Sequence, residues 1–117
     1  NTTLSKEVPF TIHNDTPVVP PNMMRLAWTA VNRETRSGKI LGESERVSPM
    51  QAFKALTING AYQYFEEDTK GSLEAGKLAD LVILSENPTV IAPGAIKDIR
   101  VLETIKAGNT VFTTKED

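Results

Sequence analysis

The apolar pattern of this chain changes period once, near residue 67, and nearly all of its β-prone runs fall after the change. Before it, two stretches repeat apolar residues at helical spacing. The one β-prone run in that half is Val8-Pro9-Phe10-Thr11-Ile12. A lone strand has no ladder in which to satisfy its N–H and C=O groups. It must pair with backbone outside this sequence, or with a second copy. The imbalance therefore predicts a piece of a larger fold.

His13-Asn14-Asp15-Thr16-Pro17 is a polar cluster that ends the run in a loop. Val18-Val19-Pro20-Pro21 continues extended, because residues before proline avoid the helical region. Asn22 is a good N-cap, and Met23, Leu26, Ala27, Ala30 and Val31 then form an apolar stripe. Trp28 lies off the stripe, which implies cover on a second side. Ser37-Gly38 ends this element, and residues 37–47 read as a surface loop.

Ser48-Pro49-Met50-Gln51 carries a capping box with proline at the first helical position. The apolar face of Ala52, Phe53, Ala55, Leu56, Ala61, Tyr62 and Phe65 predicts a helix to about Phe65. Asn59-Gly60 weakens its middle by about 1 kcal/mol relative to alanine.

From Lys70 to Lys77 two glycines mark turns. Leu81-Val82-Ile83-Leu84 predicts a buried strand, closed by Asn87-Pro88, and Pro93-Gly94 marks another turn. Ile99 to Ile105 predicts a second strand. Ala107-Gly108-Asn109 turns it into a third at Thr110-Val111-Phe112, forming a hairpin. The expected class is α+β, divided into residues 1–67 and 68–117.

Composition excludes several chemistries. The 117 residues contain no cysteine, which removes disulfides, thiolate catalysis and Cys-based zinc sites. A formal charge of −2 argues against nucleic acid as a partner. No apolar run approaches the roughly 20 residues that span a bilayer, and the N-terminus shows no basic-then-apolar leader pattern. A cytoplasmic setting is the expectation. Asn1-Thr2-Thr3 reads as an internal cut, although removal of a leader would look the same. His13 is the one histidine, so the three-ligand set of a catalytic zinc cannot come from this chain alone.

Two segments carry a family resemblance. One is Ile12-His13-Asn14-Asp15-Thr16-Pro17-Val18. The other is Lys70-Gly71-Ser72-Leu73-Glu74-Ala75-Gly76-Lys77-Leu78-Ala79-Asp80-Leu81-Val82-Ile83-Leu84. With Ser48-Pro49-Met50-Gln51-Ala52 and Asn59-Gly60-Ala61 between them, the series resembles the C-terminal end of the amidohydrolase superfamily, in its amidohydrolase-3-like, YtcJ-type branch. The resemblance covers nearly the whole chain. It implies a (β/α)8 TIM barrel with a small composite β-sandwich built from both chain ends. Val8–Ile12 would be the last barrel strand, the two helices would join the outer ring, and residues 68–117 would be the C-terminal share of the sandwich.

In such barrels catalytic groups sit at the C-terminal ends of strands, where Asp15 falls. The family's matching aspartate binds a divalent metal, zinc being the expectation here, and handles the proton of the attacking water. The resemblance thus implies Asp15 as catalytic and metal-binding residue, and His13 as orienting Asp15 or contacting substrate. The remaining ligands would lie upstream, so the 117 residues alone should hold no metal and be inactive. Asn14 stands where relatives often carry a small residue such as serine.

Plainer readings exist for each residue. Asp15 before Thr16-Pro17 can be a turn former, and His13 can be structural. Met23 and Met24 suit packing. Gly71, Gly76 and Asp80 suit turns, and Glu66-Glu67-Asp68 suits a solvated face. Three functions compete. The first is the C-terminal portion of a metal-dependent hydrolase of non-peptide C–N bonds in a small-molecule substrate. The second is a non-catalytic binding or assembly module. The third, a complete small enzyme using carboxylates on magnesium, is disfavoured because no Asp/Glu pair sits beside Asp15. The unpaired strand and uncovered helix faces predict a homo-oligomer in isolation.

Overall fold

Asn22 and Ser48 set the helical frame. The computed structural model describes residues 2–114 and places four helices among them: α1 (Thr2–Ser5), α2 (Met23–Asn32), α3 (Pro49–Leu56) and α4 (Ile58–Gln63). The Asn22 side chain accepts the Arg25 N–H at 3.0 Å, which satisfies a donor of the first turn of α2. Arg33 closes that helix in the left-handed region, its N–H donating to Thr29 O at 2.8 Å.

The buried face of α2 is Met24, Ala27 and Val31, while Met23 is exposed. The expected stripe is thus displaced by one residue in the first turn. Neighbours decide this: α3 packs on one side, and a 3-10 turn at Pro93–Asp98 packs on the other. Trp28 Nε1 donates to Gly94 O at 3.1 Å and Asn32 Nδ2 to Pro93 O at 3.0 Å. The second covered side implied by Trp28 is this turn.

The capping box of α3 forms. Gln51 N–H donates to Ser48 Oγ at 3.2 Å, and Ser48 N–H donates to Gln51 Oε1 at 2.9 Å. The single helix expected to reach Phe65 breaks at Thr57, whose backbone (φ −126, ψ −94) leaves the helical region. The Thr57 hydroxyl donates back to Phe53 O at 2.7 Å, a local bond that competes with the helical ladder. The poor helix formers Asn59 and Gly60 follow at once. α4 then ends at Gln63, and Phe65 stands at φ 59, almost fully exposed.

Three strands form one antiparallel meander: β1 (Leu81–Leu84), β2 (Val101–Lys106) and β3 (Asn109–Thr113). Val82 faces Thr104, and Thr104 faces Phe112. The second strand starts later than expected because Ile99 is spent on the core, where it is 6% exposed. The expectation of a buried β1 is corrected. Val82 and Ile83 are half-exposed, since the sheet has cover on only part of its surface.

Residues 8–12 form no strand, because among the described residues no strand lies beside them. They run extended along α3 and α4 instead. The core joins Met24, Ala27, Val31, Val47 and Ala52 to Ile96 and Ile99, across the change of period at residue 67. Ile96 is fully buried, and its truncation to alanine should cost about 2–5 kcal/mol. The radius of gyration, 15.0 Å, exceeds the roughly 13 Å of a close-packed domain of this length. No helix among the described residues is long and apolar enough to cross a membrane.

Candidate active site

The segment leading to Asp15 is held by helices where a strand would be held by strands. Phe10 O accepts from Asn59 Nδ2 at 2.9 Å. Thr11 Oγ1 donates to Gln63 Oε1 at 3.1 Å, and Ile12 N–H donates to Ala55 O at 3.4 Å. Asn59 and Gln63 lie one turn apart on α4, so they meet consecutive residues of the extended segment.

Asp15 stands beyond this anchored stretch at φ 55, a left-handed conformation that aspartate tolerates better than most residues. Its carbonyl accepts Val18 N–H at 3.0 Å across a turn containing the cis Thr16–Pro17 bond. Asp15 is therefore a turn residue by its backbone, as the plainer reading had it, and its exposed carboxylate is left over for chemistry. His13 is also exposed. Between them, Asn14 is partly buried. Its Nδ2 donates to Thr16 Oγ1 at 2.7 Å and to Val19 O at 2.9 Å. Its Oδ1 is buried without a hydrogen-bond partner among the described residues.

As a metal centre this donor set is incomplete. One carboxylate and one imidazole suit zinc in kind, but a protein site takes three or four donors. Among the described residues no three His, Asp or Glu side chains converge to hold an ion. The exposed carboxylate can bind a cation through one residue or accept a proton.

The turn sequence after α4 braces this arrangement. Gly71, at φ 92, approaches so closely that a Cβ there would lie 2.7 Å from Ala61 Cβ and 3.0 Å from Ile58 Cα. Lys77 reaches Glu67 O at 2.5 Å and Ser72 Oγ at 2.7 Å, and pairs with Glu74 at 2.7 Å. A cleft of about 410 Å³ lies beside Asn59, lined also by Pro9, Ile58, Tyr62, Glu67 and Lys77. Asp80 shapes a turn, as its sequence position suggested. The sequence marked Asn59 as a weak point in a helix and, in Asn59-Gly60-Ala61, as part of the family resemblance, with no role for its side chain. That weakness was the available signal that the residue serves something other than helix stability.

The amidohydrolase family's sequence profile matches residues 1–112, and the chain belongs to that family. Over 105 residues the chain is 34% identical to the N-substituted formamide deformylase of Arthrobacter pascens, covering 90% of this chain and 19% of the relative. YtcJ of Bacillus subtilis (strain 168), assigned as an amidohydrolase, is 26% identical over 114 residues, covering 95% and 22%. The crystal structure of an amidohydrolase from Thermotoga maritima MSB8 superposes with a TM-score of 0.67 at 28% identity, covering 95% of this chain and 24% of that one. The chain thus spans about a fifth of the length of the curated relatives it matches.

Proposed function

We propose that this chain is the C-terminal portion of a metal-dependent amidohydrolase that cleaves C–N bonds of small non-peptide amides, with the N-substituted formamide class as the first to test. The observation that carries the reading is Asp15: a family member's exposed carboxylate, set in a left-handed turn at the end of an anchored extended segment. In the intact protein residues 8–12 would gain a strand neighbour from an upstream barrel along the edge that Asn59 and Ala55 leave free. Residues 1–67 would close that barrel, and residues 68–117 would complete the composite sandwich.

A divalent ion, zinc on the donor chemistry, would be held by Asp15 together with upstream residues and would lower the pKa of water. Asp15 itself would accept the proton of the attacking water and pass it to the leaving nitrogen as the C–N bond breaks. His13, two residues earlier and exposed, contacts substrate or orients Asp15. The other donors would come from upstream, and the 117 residues alone would be inactive.

The test uses the protein encoded by the longer reading frame. Chelation should abolish hydrolysis of an N-substituted formamide or related small amide. Asp15→Asn should lower kcat at least 100-fold, the scale of a lost general base. Full activity of the Asp15→Asn protein would remove the residue from the mechanism.

A second reading, an assembly module, is favoured by one observation. Leu73, Val82 and Val111 leave an apolar surface of the sheet in solvent. That surface suits the missing part of a parent chain, or a second copy that makes a homo-oligomer. A His-x-His motif encoded upstream would decide for the enzyme. An unrelated upstream domain would decide for the module.

A further inference from the structure

We propose that Asn59 is a positioning residue for Asp15, acting through the carbonyl of Phe10. The inference rests on the reading of Asp15 given above. Extended backbone takes its register from whatever satisfies its N–H and C=O groups. Here Asn59 Nδ2 binds Phe10 O at 2.9 Å, Ala55 O binds Ile12 N–H at 3.4 Å, and Gln63 binds the Thr11 hydroxyl at 3.1 Å. Three successive residues are held by Asn59 and Gln63 of α4 and by Ala55 of α3, on either side of the break at Thr57. Downstream, Asn14 ties the loop to Thr16 and Val19. Asp15 thus sits between an upstream anchor on α4 and a local downstream anchor.

Asn59 is the second residue of the six-residue α4, and its side chain donates out of the helix to Phe10 O. The break at Thr57 turns α4 away from the axis of α3 and sets Asn59 against Phe10. Gly71 holds α4 at that angle, because only a residue without Cβ lets the following loop approach Ala61 and Ile58 so closely. Gly71 bears on α4, and Asn59 of α4 bears on Phe10, five residues before Asp15.

The experiment compares Asn59→Asp, which keeps shape but loses the donor, with Asn22→Ala, which weakens the α2 cap without touching the segment. Amide hydrogen exchange and ¹⁵N–¹H spectra of the 117-residue chain report on Thr11 to Asp15. The expected result is exchange at Ile12 at least tenfold faster in N59D, with shifted Asp15 and His13 signals, and no such change in N22A at matched overall stability. Unmoved signals in N59D would overturn the proposal. Equal movement in N22A would also overturn it, by showing a generally structural role. If N59D does not fold, N59S supplies the same comparison with a shortened donor. Metal content of the longer protein separates the two readings. A D15N protein that keeps its metal removes the reading of Asp15 and, with it, the catalytic meaning of the anchor. A D15N protein that loses metal while N59D amides stay unmoved removes the role of Asn59 alone.

Discussion

The carboxylate of Asp80 accepts the backbone N–H of Ala107 at 2.8 Å, across 27 residues of sequence, and pins the hairpin turn between β2 and β3 to the start of β1. Gly108 N–H donates to Ala79 O at 3.0 Å beside it. Ala107 needs this support, because φ 48 places a Cβ-bearing residue in the left-handed region, at about 1–2 kcal/mol. Asp80→Ala should destabilise the chain by roughly 1–2 kcal/mol, while Ala107→Gly should stabilise it by up to about 1 kcal/mol. Urea unfolding of both variants checks this. Changes of the same sign would sink the account.

Gly71 and Gly76 share φ 92 but not their surroundings. A Cβ at Gly76 meets open space, whereas one at Gly71 meets Ala61 and Ile58. Gly76→Ala should cost only the backbone strain, about 1–2 kcal/mol. Gly71→Ala should cost about 2–4 kcal/mol, since overpacking adds to that strain. Thermal melts of the pair separate conformational strain from steric clash. Equal costs would mean that the loop can move away from α4 freely.

Acid should weaken the loop at residues 72–77. The Glu74 carboxyl is held below its ordinary value by the Lys77 ammonium that donates to it, and then by the Ser72 hydroxyl. A lowered folded pKa contributes stability that is present above the unfolded value of 4.5 and lost as pH falls through the folded value. The Lys70 ammonium runs the other way. Its pairing with Glu66 raises its pKa, so that contribution is present below 10.5 and lost as pH rises through the folded value. Glu74→Gln should flatten the stability profile below pH 4.5 and leave its alkaline side unchanged. A profile unaltered in acid would show that Glu74 does not couple to folding.

The two helix caps make a matched pair. Asn22→Ala removes the acceptor for Arg25 N–H, and Ser48→Ala removes the acceptor for Gln51 N–H. Each should cost about 1 kcal/mol. The Ser48 variant should also loosen α3, which carries Ala55 and so one of the three anchors of the segment before Asp15. Exchange at Ile12 should therefore rise in Ser48→Ala more than in Asn22→Ala. The reverse order would place the anchor elsewhere.

Local signals alone determined a good deal of this protein. The caps at Asn22 and Ser48 depend on residues three positions apart, and the runs that become the three C-terminal strands are marked by their own propensity and the turn residues between them. Propensity and capping chemistry therefore suffice to place them. The composition ruled out thiol chemistry, and the family resemblance pointed to Asp15. Tertiary structure decided the rest. Residues 8–12 have strand propensity, yet a strand exists only where a neighbouring backbone completes the ladder. Here Ala55, Asn59 and Gln63 complete it from helices. The helix break at Thr57 and the role of Gly71 followed from how close two distant segments must come, a distance that no local pattern encodes. Whether Val82 and Ile83 are covered is likewise set by what packs on the sheet, not by their own hydrophobicity.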